Sequence, residues 1–371
     1  MSPDFAALRA IGWPHEGAPP AGSWATTIAG HPDARPARVV EQHRSGYIVS
    51  EGRGDGFRIE SLPEWQRPVT GPEARPAVGD WLLINGNAGG KPSAVALLPR
   101  HSAIKRAVAG ERYAQQVIAA NIDTVFIVCG LDGDFNPRRI ERYLLLVHGG
   151  ARPVIVLTKA DTEGGRDGPT ATAARALATE LAARDLPVFA INARRPESAA
   201  VLAPWLAAGR TAVLVGSSGA GKSTLTNTLV GHERMQTGTV RQKDARGRHT
   251  TTHRALIALP SGACLIDTPG MRELKPTGEE DLAETHFADL DALARRCRFR
   301  DCRHRQDPGC ALRAAATAGT VDAARLAHYL KLHGEIAGAA DRRLHRAGDK
   351  PGDKPRGKPP PRRPHTGGRR R

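Results

Sequence analysis

Eight consecutive residues, Gly216-Ser217-Ser218-Gly219-Ala220-Gly221-Lys222-Ser223, constrain this chain more than any other feature. They match G-x-x-x-x-G-K-[ST] at every fixed position, with the apolar run 211–215 leading in and a helical pattern, 223–230, leading out. A strand, a glycine-rich loop and a helix in that order turn exposed backbone N–H groups and a helix N-terminus onto phosphate oxygens. Side chains at the glycines would block that approach. Lys222 is then placed to neutralise the β- and γ-phosphates, and the Ser223 hydroxyl to ligate Mg²⁺. The bland alternative, a glycine-rich turn before an ordinary helix, does not account for the strand–loop–helix setting.

A second motif reads the base. Thr158-Lys159-Ala160-Asp161 follows the apolar run 153–157 and has the form [NT]-K-x-D. Guanine presents two donors on one edge, N1–H and the exocyclic amine, so a carboxylate such as Asp161 can accept from both, whereas adenine offers no such pair. The aliphatic stem of Lys159 can cover the base plane. A plain surface turn would also produce four such residues, but the position at a strand end favours the binding reading. In ordinary small GTPases the phosphate loop comes first and the base motif last, yet here Asp161 precedes Gly216 by 55 residues. Circular permutation accounts for the reversal, because domain termini are often close and one sheet can be opened at another loop. Between the two motifs, Ala190-Ile191-Asn192-Ala193 falls where a second base-contacting loop should follow its strand, with Asn192 and Ala193 as its candidate contacts.

Asp267-Thr268-Pro269-Gly270 follows the apolar residues 263–266, which puts Asp267 at the carboxyl end of a strand. There it could hold Mg²⁺ through water while the Gly270 N–H meets the γ-phosphate. D-x-x-G alone is a weak signal and gains force downstream of a phosphate loop. The polar stretch 247–253, Gly-Arg-His-Thr-Thr-Thr-His, has the character of a switch loop in which Thr251 completes the Mg²⁺ shell. Met271 follows Gly270 where Ras-type enzymes carry a water-positioning Gln, so intrinsic hydrolysis should be slow. His249 is the candidate to orient the attacking water, the alternative being a solvated loop histidine.

Around these motifs strand and helix patterns alternate from 124–129 through 223–230, which defines a doubly wound α/β domain at 104–290. Asn136 is a good N-cap and Pro137 suits the first helical position. Ahead of this domain, short β-like runs at 38–41, 46–50, 57–60, 80–84 and 94–98 read as a small β-barrel over 37–103. An OB-type barrel is preferred, with an SH3-like barrel giving nearly the same pattern. Residues 1–36, rich in proline and without a sustained period, read as an irregular arm.

Five cysteines include a crowded set, Cys297-x₄-Cys302-x-His304-x₅-Cys310, which supplies three thiolates and one imidazole. By number and softness that is a closed tetrahedral Zn²⁺ shell, structural because no position stays open for water. Cys129 and Cys264 lie in apolar strands and read as core. Arg295, Arg296, Arg298, Arg300, Arg303 and Arg305 surround the set, giving the zinc-binding domain at 291–340 a basic surface suited to phosphate backbone. Net charge is +16, of which residues 341–371 hold twelve Lys and Arg against three Asp in a Pro/Gly-rich stretch expected to form a disordered tail. Neither a signal-peptide core nor a run of 18 uncharged apolar residues is present, so the chain is expected to be cytoplasmic, with no membrane partner, and monomeric.

Taken together, these residues resemble the circularly permuted, ribosome small-subunit-dependent GTPases, the RsgA or YjeQ family. The resemblance runs in order through Val78-Gly79-Asp80-Trp81, Ala119-Ala120-Asn121-Ile122-Asp123, Thr158 to Asp161, Gly216 to Thr224, His249 to Thr252, Asp267 to Gly270 and Cys297-Arg298-Phe299 through Pro308-Gly309-Cys310. It implies an OB domain, a permuted GTPase domain and a zinc domain that act late in maturation of the small (30S) ribosomal subunit on 16S rRNA, with GTP hydrolysed to GDP and release from the subunit. It also implies phosphate and Mg²⁺ binding by Lys222 and Ser223, a catalytic role for His249, and zinc ligation by Cys297, Cys302, His304 and Cys310. Asn192 and the tail after Leu344 depart from the pattern. Two other classes stay open at this stage: an RNA-binding P-loop ATPase, which would not need Asp161, and a non-catalytic RNA-binding module.

Overall fold

Residues 3–43, 46–67, 71, 74–86, 91–107, 115–147, 150–232, 255–267, 276–278, 280 and 287–348 are described by a computed structural model. Its first five strands are β1 (Arg35–His43), β2 (Gly46–Ser50), β3 (Phe57–Glu60), β4 (Trp81–Asn85) and β5 (Ser93–Leu97), close to the five runs read from the sequence. They pair antiparallel in the order β3-β2-β1-β4-β5, and β3 lies against β5, which brings the two ends of that path together. This is the strand order of an OB barrel rather than an SH3-like one. Alternate residues point inward, among them Ala37 and Val39, Tyr47 and Val49, and Leu82 and Ile84, as the two-residue period of a half-buried strand requires.

A hairpin of β6 (Ala103–Ala107) and β7 (Gln115–Ala120), which sequence reading did not anticipate, joins the barrel to the α/β domain. Six strands follow: β8 (Thr124–Gly130), β9 (Arg152–Thr158), β10 (Val188–Ala190), β11 (Thr211–Val215), β12 (Ala255–Ala258) and β13 (Cys264–Asp267). Every residue of β8 and β11 is buried, which explains their unbroken apolar runs. Successive residues feed opposite faces: Val125, Ile127 and Cys129 pack into one core, Phe126 and Val128 into the other. The lateral order is β10-β9-β8-β11-β13-β12, parallel except for β12. Counted from β11 and wrapping from β13 back to β8, the order from the β12 edge reads 2-3-1-4-5-6. That is a small-GTPase sheet opened at a different loop, as the reversed motif order requires.

The barrel is not an appendage. Strand β1 pairs with β12 at Glu41 and Ala255, making one continuous sheet. Fully buried Arg38 of β1 donates to the carbonyls of Gly79 at 3.1 Å, Ile11 at 2.5 Å and Asn121 at 3.3 Å, and so ties together barrel, N-terminal arm and α/β domain. Beside it Asp80, also fully buried, accepts from Arg100 and from the Ala77 N–H at 2.8 Å. The two motifs containing Gly79 and Asn121 therefore form the domain joint. Gly79 has φ +96°, and an added Cβ would stand 2.2 Å from the Ala120 carbonyl oxygen, so only glycine fits.

Two sequence expectations change at the ends of the chain. The arm carries short helices at Phe5–Arg9 and Ser23–Ala29, and its Trp13 and Trp24 pack edge to face with Trp81 of the barrel. Aromatic packing orders it where proline content suggested irregularity. The final helix, Ala323–Gly348, runs past residue 341 into the stretch assigned to the disordered tail. Residues 341–347 contain neither Pro nor Gly, so nothing local stops the helix before Gly348; residues 349–371 lie outside the described set. This helix, with Ala288–Ala294 and Ala311–Thr317, surrounds a core of Phe287, Leu290, Leu312, Tyr329 and Leu332 that also receives Leu145 from the α/β domain. Among the described residues no helix is long and apolar enough to cross a membrane.

Candidate functional site

The loop that follows β11 turns sharply beneath the sheet edge. Gly216 has φ +148° and passes so close to β8 that a Cβ would meet the Val128 carbonyl oxygen at 2.1 Å. Gly221, at φ +92°, caps the helix Lys222–Val230 and leaves room for the Thr158 hydroxyl, 3.0 Å from where its Cβ would be. Both positions need glycine for space as well as for backbone conformation. Lys222 is folded over the loop, its Nζ donating to the carbonyls of Gly216 at 2.8 Å and Ser217 at 2.5 Å. Ser218, Gly219 and Ser223 lie along the same turn, half-buried or exposed, and Ala220 beneath it is fully buried.

The base motif meets this loop directly. Thr158, fully buried at the end of β9, donates its hydroxyl to the Ala220 carbonyl at 2.6 Å. Lys159 adopts a left-handed φ of +61°, and Asp161 is exposed at the same edge. The third loop is tied in as well: the Ala160 N–H donates to the Ile191 carbonyl at 3.2 Å, and Thr228 of the helix after the phosphate loop donates to the Ala193 carbonyl at 2.6 Å. Asn192 turns its Oδ1 back to accept from the Arg194 N–H at 2.9 Å, while its own N–H is taken by Ser198. Three loops far apart in sequence thus converge at the carboxyl ends of β9, β10 and β11, the edge of an open α/β sheet where ligands bind.

Asp267 ends β13 at the same edge, half-buried, its Cα registered with Ala255. His249, Thr251 and Gly270 lie outside the described residues.

Sequence reading missed two carboxylates here. Asp132 pairs with the Lys159 Nζ, and Asp134 accepts both the Ser217 hydroxyl and an Arg139 N–H at 2.7 Å. Burial alone would raise the Asp134 carboxyl, but the hydrogen bonds from Ser217 and Arg139 outweigh it and hold the group below its ordinary range. Their place just beyond the carboxyl end of β8, beside the phosphate loop, was the available signal.

The second cluster is a candidate metal site by geometry. The ligand atoms of Cys297, Cys302, His304 and Cys310 all lie within 4.8 Å of one another. The Cys297 Sγ stands 3.5 Å from His304 Nδ1 and 4.0 Å from the Cys310 Sγ, and the latter stands 3.6 Å from His304 Nδ1. A tetrahedron with metal–sulfur bonds of about 2.3 Å has edges of about 3.8 Å, so the set fits one small cation and could hold it. His304 reaches inward through a φ of +58°. Burial, then the neighbouring His333, lowers its pKa, which favours the neutral form that a metal ligand must take. Cys129 and Cys264 are buried apart from this set, their thiols pushed up by burial, and belong to the core as expected.

With this geometry in view, residues 97–277 match the family model described as RsgA GTPase. A relative from Xanthomonas axonopodis pv. citri (strain 306), named small ribosomal subunit biogenesis GTPase RsgA, is 62 % identical over 343 residues, covering 92 % of each chain. A protein of the same name from Xanthomonas euvesicatoria pv. vesicatoria (strain 85-10) is 62 % identical over 342 residues, covering 92 % of this chain and 91 % of its own. Among solved structures, YjeQ from Thermotoga maritima superposes with a TM-score of 0.57 at 22 % identity, over 82 % of this chain and 99 % of that one. YloQ, described as a circularly permuted GTPase, gives 0.55 at 21 % identity, over 83 % and 96 %. The two structures establish the shared fold, and the closer relatives establish more: at 62 % identity over 92 % of its length, this chain belongs to the RsgA GTPase family.

Proposed function

We propose that the chain is a GTP hydrolase that binds the small ribosomal subunit through 16S rRNA, assists its late maturation in the cytoplasm, and leaves when GTP has become GDP and phosphate. The observation that carries this reading is the hydrogen bond from Thr158 to the Ala220 carbonyl at 2.6 Å, which joins a guanine-reading loop to a phosphate loop in one site. In it Asp161 accepts from N1–H and the exocyclic amine of guanine, the stem of Lys159 covers the base, and Asn192 and Ala193 border it. The N–H groups of residues 216–224 cradle the phosphates. On nucleotide binding Lys222 exchanges its own loop carbonyls for β- and γ-phosphate oxygens, which are stronger acceptors.

Ser223, Thr251 and, through water, Asp267 would hold Mg²⁺, which supplies charge neutralisation to the phosphates. Gly270 senses the γ-phosphate and His249 orients the attacking water. Zn²⁺ is the cation that best fits three thiolates and an imidazole, and its part is to hold the arginine-bearing loop 295–305 in shape for RNA phosphate. The arm at 1–36, barrel at 37–103, GTPase domain at 104–290 and zinc domain at 291–340 act as one monomer. Steady-state GTP hydrolysis with and without purified small subunits tests the reading: stimulation by the small subunit alone supports it, and equal rates remove the ribosome from the mechanism.

A further inference from the structure

We propose that Asp132 and Asp134, on the loop between β8 and the helix Pro137–Leu146, are positioning residues that clasp the base-reading Lys159 to the phosphate loop and thereby set affinity for guanine nucleotide. This rests on the guanine-nucleotide reading above. The clasp has two hooks. Asp132 holds the Lys159 ammonium through one carboxylate oxygen while the other accepts the Asp134 N–H at 3.2 Å. Asp134 in turn grips the Ser217 hydroxyl and is itself braced by Arg139 at 2.7 Å. The helix behind it is fixed at its start, where the Asn136 side chain accepts the Arg139 N–H.

The stem of Lys159 runs past Gly130 to reach Asp132. A Cβ at Gly130 would stand 3.3 Å from the lysine Cδ and 2.9 Å from an Asp132 carboxylate oxygen. The glycine therefore leaves the space that the end of the lysine side chain and the Asp132 carboxylate occupy. A free lysine side chain samples many rotamers, and fixing it on binding costs free energy. With its ammonium already anchored, the four-carbon stem has less freedom to lose when the base arrives. Asp134 does the same for the phosphate loop, whose second residue it tethers. Both carboxylates reach the nucleotide only through these partners, so their loss should weaken binding more than it slows turnover.

The test is titration of the intact chain with a fluorescent GDP, together with GTPase kinetics, for wild type, Asp132→Ala, Asp132→Asn, Asp134→Ala, Ser217→Ala and the Asp134→Ala/Ser217→Ala double variant. Asp132→Ala should weaken GDP binding roughly three- to tenfold, because the pair is about a third exposed and its strength is moderated by solvent. Its KM should rise more than its kcat falls, and Asp132→Asn, which keeps an acceptor, should recover part of the loss. Asp134→Ala and Ser217→Ala should each weaken binding, with the double variant no worse than the weaker-binding single. Gly130→Ala, which removes no polar group, should weaken binding without lowering thermal stability. Unchanged or tighter binding in Asp132→Ala overturns the clasp, as do additive losses in the Asp134 and Ser217 pair. Failure of the wild-type chain to bind GDP would instead overturn the guanine reading itself, and that result comes from the first titration.

Discussion

The Thr158 hydroxyl and the Ala220 carbonyl, 62 residues apart in sequence, meet at 2.6 Å with no exposure to solvent on either residue. The bond closes the seam between the strand that ends at Thr158 and the glycine-rich loop that follows β11. Thr158→Val keeps the volume and deletes the donor, leaving a buried carbonyl short of a partner. A loss of about 1–3 kcal/mol in stability is expected, with weaker nucleotide binding alongside. Thermal unfolding and GDP titration on one preparation check both.

Arg38 carries the joint between domains. Burial lowers its pKa, yet three carbonyls from three segments share its guanidinium. Arg38→Lys preserves the charge but cannot span the three acceptors, because an ammonium is a point donor on a flexible stem. It should destabilise the fold by about 3 kcal/mol, and Arg38→Ala at least as much. Chemical denaturation monitored by tryptophan fluorescence suits the question, since Trp81 lies directly under the guanidinium.

The long C-terminal helix is held to the α/β domain by a pair with little exposure, His328 Nδ1 with the Glu141 carboxylate at 2.7 Å, and by a second pair, Arg142 with Glu335, also at 2.7 Å. Glu141→Ala strands His328 against the domain and should cost about 1–3 kcal/mol. Limited proteolysis should then release the helix Ala323–Gly348 sooner than in the wild type, while the α/β domain resists as before.

If the Cys297, Cys302, His304 and Cys310 set holds a cation, removing it should unfold the C-terminal domain in preference to the rest, because the four side chains converge there and the helix Ala311–Thr317 starts directly after Cys310. Metal analysis should give one zinc per chain in the wild type and none in Cys310→Ser. A chelator should lower the first thermal transition of the wild type and leave that of the variant unchanged.

Much of this was legible in the residues. β11 was read at its true limits, and β8 and β9 within one residue, because strands buried on both faces announce themselves as unbroken apolar runs. The Asn136 cap and Pro137 marked their helix correctly. The cluster of Cys297, Cys302, His304 and Cys310 was legible from spacing, since all four lie within one short segment. What escaped was held by contacts across long sequence distances. The helices of the arm depend on Trp81, the roles of Gly79 and Asn121 depend on Arg38, and Asp132 and Asp134 show their purpose only once Lys159 and Ser217 stand beside them. The hairpin β6–β7 has a weaker pattern, its pairing interrupted by a shift in register between Ile104 and Lys105.

The most direct test of one guanine site built from loops in reversed order is the nucleotide preference of Asp161→Asn. If Asp161 reads the base, the variant loses GTP and gains xanthosine triphosphate, whose O2 replaces the amine and accepts where guanine donates, with the phosphate loop untouched. Competition between the two nucleotides for binding should invert relative to wild type. A variant that still prefers GTP as strongly as the wild type would contradict the account, for it would mean that the aspartate and the phosphate loop do not serve the same nucleotide.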